Sequence, residues 1–131
     1  MSFMKVKIRP VDTLFTKLIR MKNNYTCEYC GRKYDPENTL SLRNLGVSHY
    51  HGRSKQGTRY EEENSMLLCN LPCHHRLELD KKGEYKEIMI KRLGQKRFDT
   101  LMIQAESYCK RDDKMNELII KEKIKELEGR R

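Results

Sequence analysis

Apolar residues recur at helical spacing along much of this chain and gather at strand length in its middle. Over residues 11–23, Leu14, Phe15, Leu18 and Ile19 share one helical face. Asp12 is placed to cap the start of that helix, and Lys17, Arg20 and Lys22 lie away from the centre of the face. Leu45 to Tyr50 reads as a short strand, and His51 to Arg59, with two glycines, as a loop. Asn64 to Leu68 returns as an extended or turning segment. From Cys73 onward the pattern turns helical. One helix covers residues 84–93 and ends at Gly94. A second carries Phe98, Leu101, Met102, Ala105 and Tyr108, and a last one runs from about Asp112 through Met115, Leu118, Ile119 and Leu127. Amphipathic logic assigns the Met and Leu stripe to core, packed on the rest of the chain or on a second subunit.

No repeat, linker or low-complexity stretch divides the 131 residues, which predicts one domain spanning 1–131. Its core covers about residues 25–83, with an N-terminal helix over about 11–23 and a helical extension over about 84–128. A domain of this size buries a modest core and often needs a staple such as a metal. Charged residues make up 36% of the chain, against roughly 25% in average proteins. That leaves little apolar material to spare.

Charge alters the picture by where it lies. The net charge is +9, and residues 1–33 carry eight basic and two acidic side chains. Residues 43–59 hold Arg43, Arg53, Lys55 and Arg59 with no acid. A basic excess concentrated there points to a phosphate-bearing partner. Met1 to Pro10 lacks the apolar core of a signal peptide, and no apolar run approaches the ~18 residues of a membrane span. These features predict a cytoplasmic protein without a membrane partner, in a compartment where thiols stay reduced.

Five cysteines are present, four of them in two close pairs: Cys27 with Cys30, and Cys69 with Cys73. In a reducing compartment such pairs read as two chelating loops of a structural zinc site. Cys109 is left over, and its place in an apolar helical pattern predicts a core residue. Between the pairs lies Ser48-His49-Tyr50-His51-Gly52-Arg53, and His74 and His75 follow the second pair. Hydrolysing a phosphodiester needs a base for water, a cation on the phosphate and help for the leaving oxygen. An imidazole of ordinary pKa suits the first task, with activity expected to fall below about pH 6.5. His49, at the end of a strand, is the candidate base. Asn64, five residues before Cys69, is placed to orient that base or its loop. Arg53, Lys55 and Arg59 stand beside the site as candidate grips for DNA phosphates.

These residues carry a resemblance. The chain resembles an HNH endonuclease of the His-Me (ββα-metal) finger superfamily, and more narrowly the phage NinG/Rap-like recombination nucleases. The shared pattern is Cys27-x-x-Cys30, Ser48 through Lys55, Asn64 through Cys69, and Cys73-His74. The tail from Tyr85-Lys86-Glu87 through Lys91-Arg92-Leu93-Gly94 to Leu101 is also similar, so the resemblance covers about residues 25–125. It implies an α+β fold, a small zinc-stapled ββα-metal finger with flanking helices. It implies His49 as general base, Asn64 as the residue that positions it, and His74 as ligand of a catalytic Mg²⁺ or Mn²⁺. Cys27, Cys30, Cys69 and Cys73 would hold structural Zn²⁺. Many members have an acidic or histidine ligand where this chain has Ser48, which would act through water or be replaced by His51. His75 is the alternative to His74. The expected function is a bacterial or phage-encoded, metal-dependent DNA endonuclease of low sequence specificity, leaving a 5′-phosphate and a 3′-hydroxyl. A homodimer would ease cutting of both strands. The alternative is a non-catalytic zinc module that binds nucleic acid.

Overall fold

A computed structural model describes residues 7–130. The reading of Met1 to Pro10 as lacking a signal-peptide core falls, up to residue 6, outside the described residues. The architecture is α+β and mostly helical. In chain order it runs α1 (Pro10–Lys22), α2 (Thr39–Leu42), β1 (Leu45–His49), β2 (Ser65–Cys69), α3 (Lys82–Leu93), α4 (Gln95–Glu106) and α5 (Asp113–Gly129). A 3₁₀ turn, Glu62–Asn64, leads into β2, and two wide helical turns, Asn70–His74 and Arg76–Asp80, lead out of it. Among the described residues no helix is long and apolar enough to cross a membrane.

α1 starts one turn earlier than Asp12 suggested. Pro10 occupies the first helical position, where its fixed φ and missing N–H cost nothing. Asp12 sits two residues further in and accepts the Arg9 amide at 2.7 Å, which satisfies an otherwise orphaned donor. The inner face of α1 buries Val11, Phe15, Leu18 and Ile19. Each such side chain contributes roughly 1.5–3 kcal/mol when fully buried.

β1 and β2 form an antiparallel two-stranded sheet with Leu45 opposite Cys69, Val47 opposite Leu67 and His49 opposite Ser65. All five residues of β2 are buried, because α1 covers the sheet and the cysteine loop Cys27–Cys30 lies along β2. The Glu28 amide donates to Leu67 O at 2.7 Å, and the Glu28 carboxylate accepts the Leu67 amide. Arg20 clamps α1 to the hairpin by donating to the carbonyls of Leu42 and Leu45 at 2.7–2.9 Å.

The helical extension differs from its sequence pattern. α4 ends at Glu106 and the backbone becomes extended at Ser107. Tyr108 is therefore 91% exposed, and Cys109, expected in the core, is exposed as well. In α5 the buried positions are Ile120 and Ile124, with Leu127 partly covered, whereas Met115, Leu118 and Ile119 face outward. α5 packs on α1, and only one of its two apolar edges meets that partner. Gly57 in the long loop is pressed against α4. A Cβ there would stand 2.5 Å from Gln104 O, and Gln104 Nε2 donates to Gly57 O.

A buried ion pair ties this loop to α1. Arg59 is 1% exposed, and its guanidinium donates to both carboxylate oxygens of Asp12 at 3.0 and 2.6 Å. It also donates to the carbonyls of Arg53 and Lys7. Burial pushes the Asp12 carboxyl up, but Arg59 and the Arg9 amide outweigh it and hold Asp12 below the usual carboxylate range. Asp12→Asn should cost about 3–5 kcal/mol at neutral pH, because it leaves Arg59 buried without its counter-charge. A lowered folded pKa stabilises above the unfolded value of about 3.9 and is lost as pH falls through the folded one. Urea unfolding should therefore show the gap between the two proteins wide at pH 7 and shrinking below about pH 4.

Candidate metal centre and histidine cleft

Two loops and a strand end converge at the cysteines. The first pair sits in a turn after α1, where Gly31 adopts φ +79°, a conformation that favours glycine. Cys69 ends β2, and Cys73 lies in the wide turn that follows, beyond a cis Leu71–Pro72 peptide. The sulfurs of Cys27, Cys30, Cys69 and Cys73 all lie within 4.8 Å of one another. Among the described residues no other group of three or more His, Cys, Asp or Glu side chains gathers this way. Cys30 Sγ and Cys69 Sγ are 3.6 Å apart, close to the roughly 3.8 Å edge of a tetrahedron with metal–sulfur bonds near 2.3 Å.

The surroundings favour the thiolate at Cys27 and oppose it at Cys69 and Cys73, where burial raises the pKa. Burial pushes the Cys27 thiol up, but the amides of Cys30 and Cys69 donate to its sulfur at 3.5 and 3.3 Å and bring it down to about 7. The Tyr34 hydroxyl donates to Cys69 Sγ at 3.0 Å. Cys73 moves the other way, raised by burial and by the neighbouring thiols. Four thiols that cannot all ionise on their own fit a divalent cation, which supplies the missing positive charge.

A cleft of about 470 Å³ opens beside this centre, lined by His49, His74, Glu78 and Arg53 among others. His49 closes β1 and packs against Phe15 of α1 at 5.9 Å between ring centroids. Its Nε2 lies 3.0 Å from the Arg59 carbonyl. A carbonyl only accepts, so Nε2 carries the proton and Nδ1 keeps the lone pair. Burial, then the positive charge of Arg53, pushes the ring's pKa down to about 4. The imidazole is therefore neutral well below pH 6.5, which corrects the expectation of an ordinary histidine titration.

Asn64 is fully buried and holds the loop that follows His49. Its Oδ1 accepts the His51 amide at 2.8 Å, and its Nδ2 donates to the carbonyls of His51 and Thr58 at 2.9 and 3.2 Å. Asn64 thus acts on His49 through the loop rather than by touching the ring.

His74 lines the cleft, while His75 faces solvent beside Asp80. His74 Nε2 directly contacts Glu78 Oε2, one helical turn later. Glu78 is the residue the sequence reading missed. Its signal was the four-residue spacing from His74, which stacks two side chains on one helical face. Ser48 is fully buried and reaches the cleft only through Glu78. Its Oγ donates to Glu78 Oε2 at 3.1 Å and stands 2.8 Å from the Tyr85 hydroxyl.

Three site expectations change. His51 does not line the cleft: its ring stands edge-on to Tyr50, its nearest charges are Glu106 and Lys55, and its buried Nε2 has no partner among the described residues. Asn64 holds its backbone by the amide and the carbonyl, away from the His74–Glu78 pair that lines the cleft. Arg59 has no surface to offer a phosphate, since Asp12 and two carbonyls occupy its guanidinium. Lys55 pairs with Glu106 at 3.1 Å on the surface. Arg53 alone of the three lines the cleft.

No family model, curated protein or solved structure matches this chain. The class defined by the coordinates is a β-hairpin followed by helices, with a four-cysteine cluster able to hold a metal, compatible with a zinc-bound ββα-like module.

Elemental analysis of the purified protein should find about one zinc per chain, and a strong chelator should unfold it. Tyr34→Phe should keep the fold but lose zinc to a chromogenic chelator about tenfold more readily, as loss of a partner to a ligand usually does.

Proposed function

We propose that this protein is a zinc-stapled, metal-dependent DNA endonuclease of the HNH kind, of low sequence specificity. The observation that carries the reading is the single cleft shared by a neutral His49, oriented by Arg59 O, and the His74–Glu78 pair. A phosphodiester seated there would meet a base on one wall and two ligand side chains on the other. Arg53 adds positive charge to the same cleft.

In this reading His49 Nδ1 takes a proton from water as the water oxygen bonds to phosphorus, the P–O3′ bond breaks, and the departing 3′-oxygen takes a proton from solvent. The loop held by Asn64 keeps the ring in place, and the Arg59 carbonyl preserves its tautomer. His74 and Glu78 would hold Mg²⁺ or Mn²⁺, which when bound offsets charge on the phosphate and leaving oxygen. Glu78 supplies the acidic ligand that Ser48 lacks, and Ser48 and Tyr85 fix its carboxylate. Burial pushes the Tyr85 pKa up, so its hydroxyl stays protonated and can donate to Ser48. Arg53 would hold a phosphate oxygen.

Plasmid nicking with titrated Mg²⁺ or Mn²⁺ tests the reading. His49→Ala should lower cleavage about 10²–10⁴-fold while DNA binding survives, as loss of a general base does. Glu78→Gln should shift the metal dependence to higher concentration with Ser48→Ala showing a smaller effect. DNA binding without nicking in any metal would instead make the protein a zinc-stabilised nucleic-acid-binding module.

A further inference from the structure

A second cleft of about 330 Å³ is also lined by Glu78. It shares His49, Gly52 and Glu78 with the first, and it adds Leu77, Lys82 and Tyr85. The two therefore meet along a ridge made of the base, a glycine without a side chain to obstruct it, and the carboxylate. Among the described residues, each cleft has one Lys or Arg that is not spent on the fold. Arg53 lines the first, and Lys82 lines the second. Other cations near the site are occupied: Arg20 by the carbonyls of Leu42 and Leu45, Arg59 by Asp12, and Lys55 by Glu106. Lys82 forms no ion pair among the described residues; Glu78, four residues earlier, belongs to the preceding wide turn, which Lys81 separates from α3. It is exposed at the first position of α3, so its backbone is fixed at the rim of the second cleft by a helix start.

We infer that the two clefts form one continuous track for a nucleic-acid backbone, with Lys82 as the cation that holds the phosphate next to the scissile one. Arg53 and Lys82 then grip the chain on opposite sides of the His49–Glu78 ridge. This assignment rests on the nuclease reading for its scissile bond, but the backbone contact itself does not need cleavage. Lys82 is a positioning residue: it acts by fixing where the strand crosses the ridge.

The test separates the two ideas. Binding of a short fluorescent DNA duplex is measured against salt in the His49→Ala background, which keeps the DNA intact. Lys82→Gln should reduce the slope of log K against log salt by about 0.9, the loss of one phosphate contact. Lys86→Gln removes an equally exposed lysine one turn along α3, outside both clefts, and should leave the slope unchanged. With His49 intact, Lys82→Gln should lower kcat/KM for nicking about tenfold, mainly through KM. Zinc content and Tm equal to the parent's check that the fold is kept. Equal slopes for the Lys82 and Lys86 variants would overturn the assignment even if the protein cuts DNA. A slope lost only with Lys82, in a protein that never nicks DNA, would uphold the track while removing the nuclease.

Discussion

Convergence of four thiols at one point governs how the rest of this molecule is arranged. Cys27 and Cys30 follow α1, Cys69 ends β2, and Cys73 begins the turn that carries His74. The loop that carries Cys27 and Cys30 has few apolar residues of its own, in a domain whose core is small. A cation at their centre would join these segments with bonds much stronger than any contact the surrounding side chains make. It would also set a distance that matters for chemistry. His74 is the residue after Cys73, so its place relative to the hairpin, and hence to His49, follows from where the thiols meet.

A second constraint works from the opposite side of the hairpin. α1 presents Phe15 to the His49 ring, Asp12 to Arg59 and Arg20 to the strand carbonyls. The loop between the strands would otherwise be a long excursion with little to bury. Here its interior is polar and bonded through its backbone, with His51 Nε2 and Tyr60 OH the exceptions among the described residues: Asn64 holds the amide and the carbonyl of His51, and Arg59 reaches back to α1. Buried polar groups are costly only when left without partners, and such a network makes one loop conformation far better than its rivals. The Arg59 carbonyl, fixed in this way, is what orients His49. The residue that the charge pattern offered as a hand for DNA is instead part of the frame that holds the imidazole.

The acidic partner of His74 illustrates the same economy. The position before His49 carries a serine, and its hydroxyl is drawn inward between Glu78 and Tyr85. The carboxylate that lines the cleft comes from the helical turn. The strand residue stays a buried serine, at a position where an unpaired carboxylate would be expensive.

Much of this was legible in the residues alone. Helical periodicity located α1 and the tail helices, because a 3.6-residue repeat needs only the local chain. Cysteine spacing announced the thiol cluster, since chelating pairs are set by ligand geometry. The pattern Ser48-His49 with Asn64 and Cys73-His74 pointed to residues of which His49 and His74 line one cleft. What the sequence could not decide was which side chains face one another. Whether Arg59 meets solvent or Asp12 depends on a contact across 47 positions. Whether Met115 or Ile120 lies inside depends on the rotation of α5 against α1, and both choices satisfy an amphipathic pattern. The exposure of Cys109 follows from the chain leaving α4 at Ser107 to reach α5. Local preference determined the elements and the paired thiols; packing and long-range ion pairing decided the facing surfaces, because burial and charge neutralisation are properties of pairs that meet only after the chain has folded.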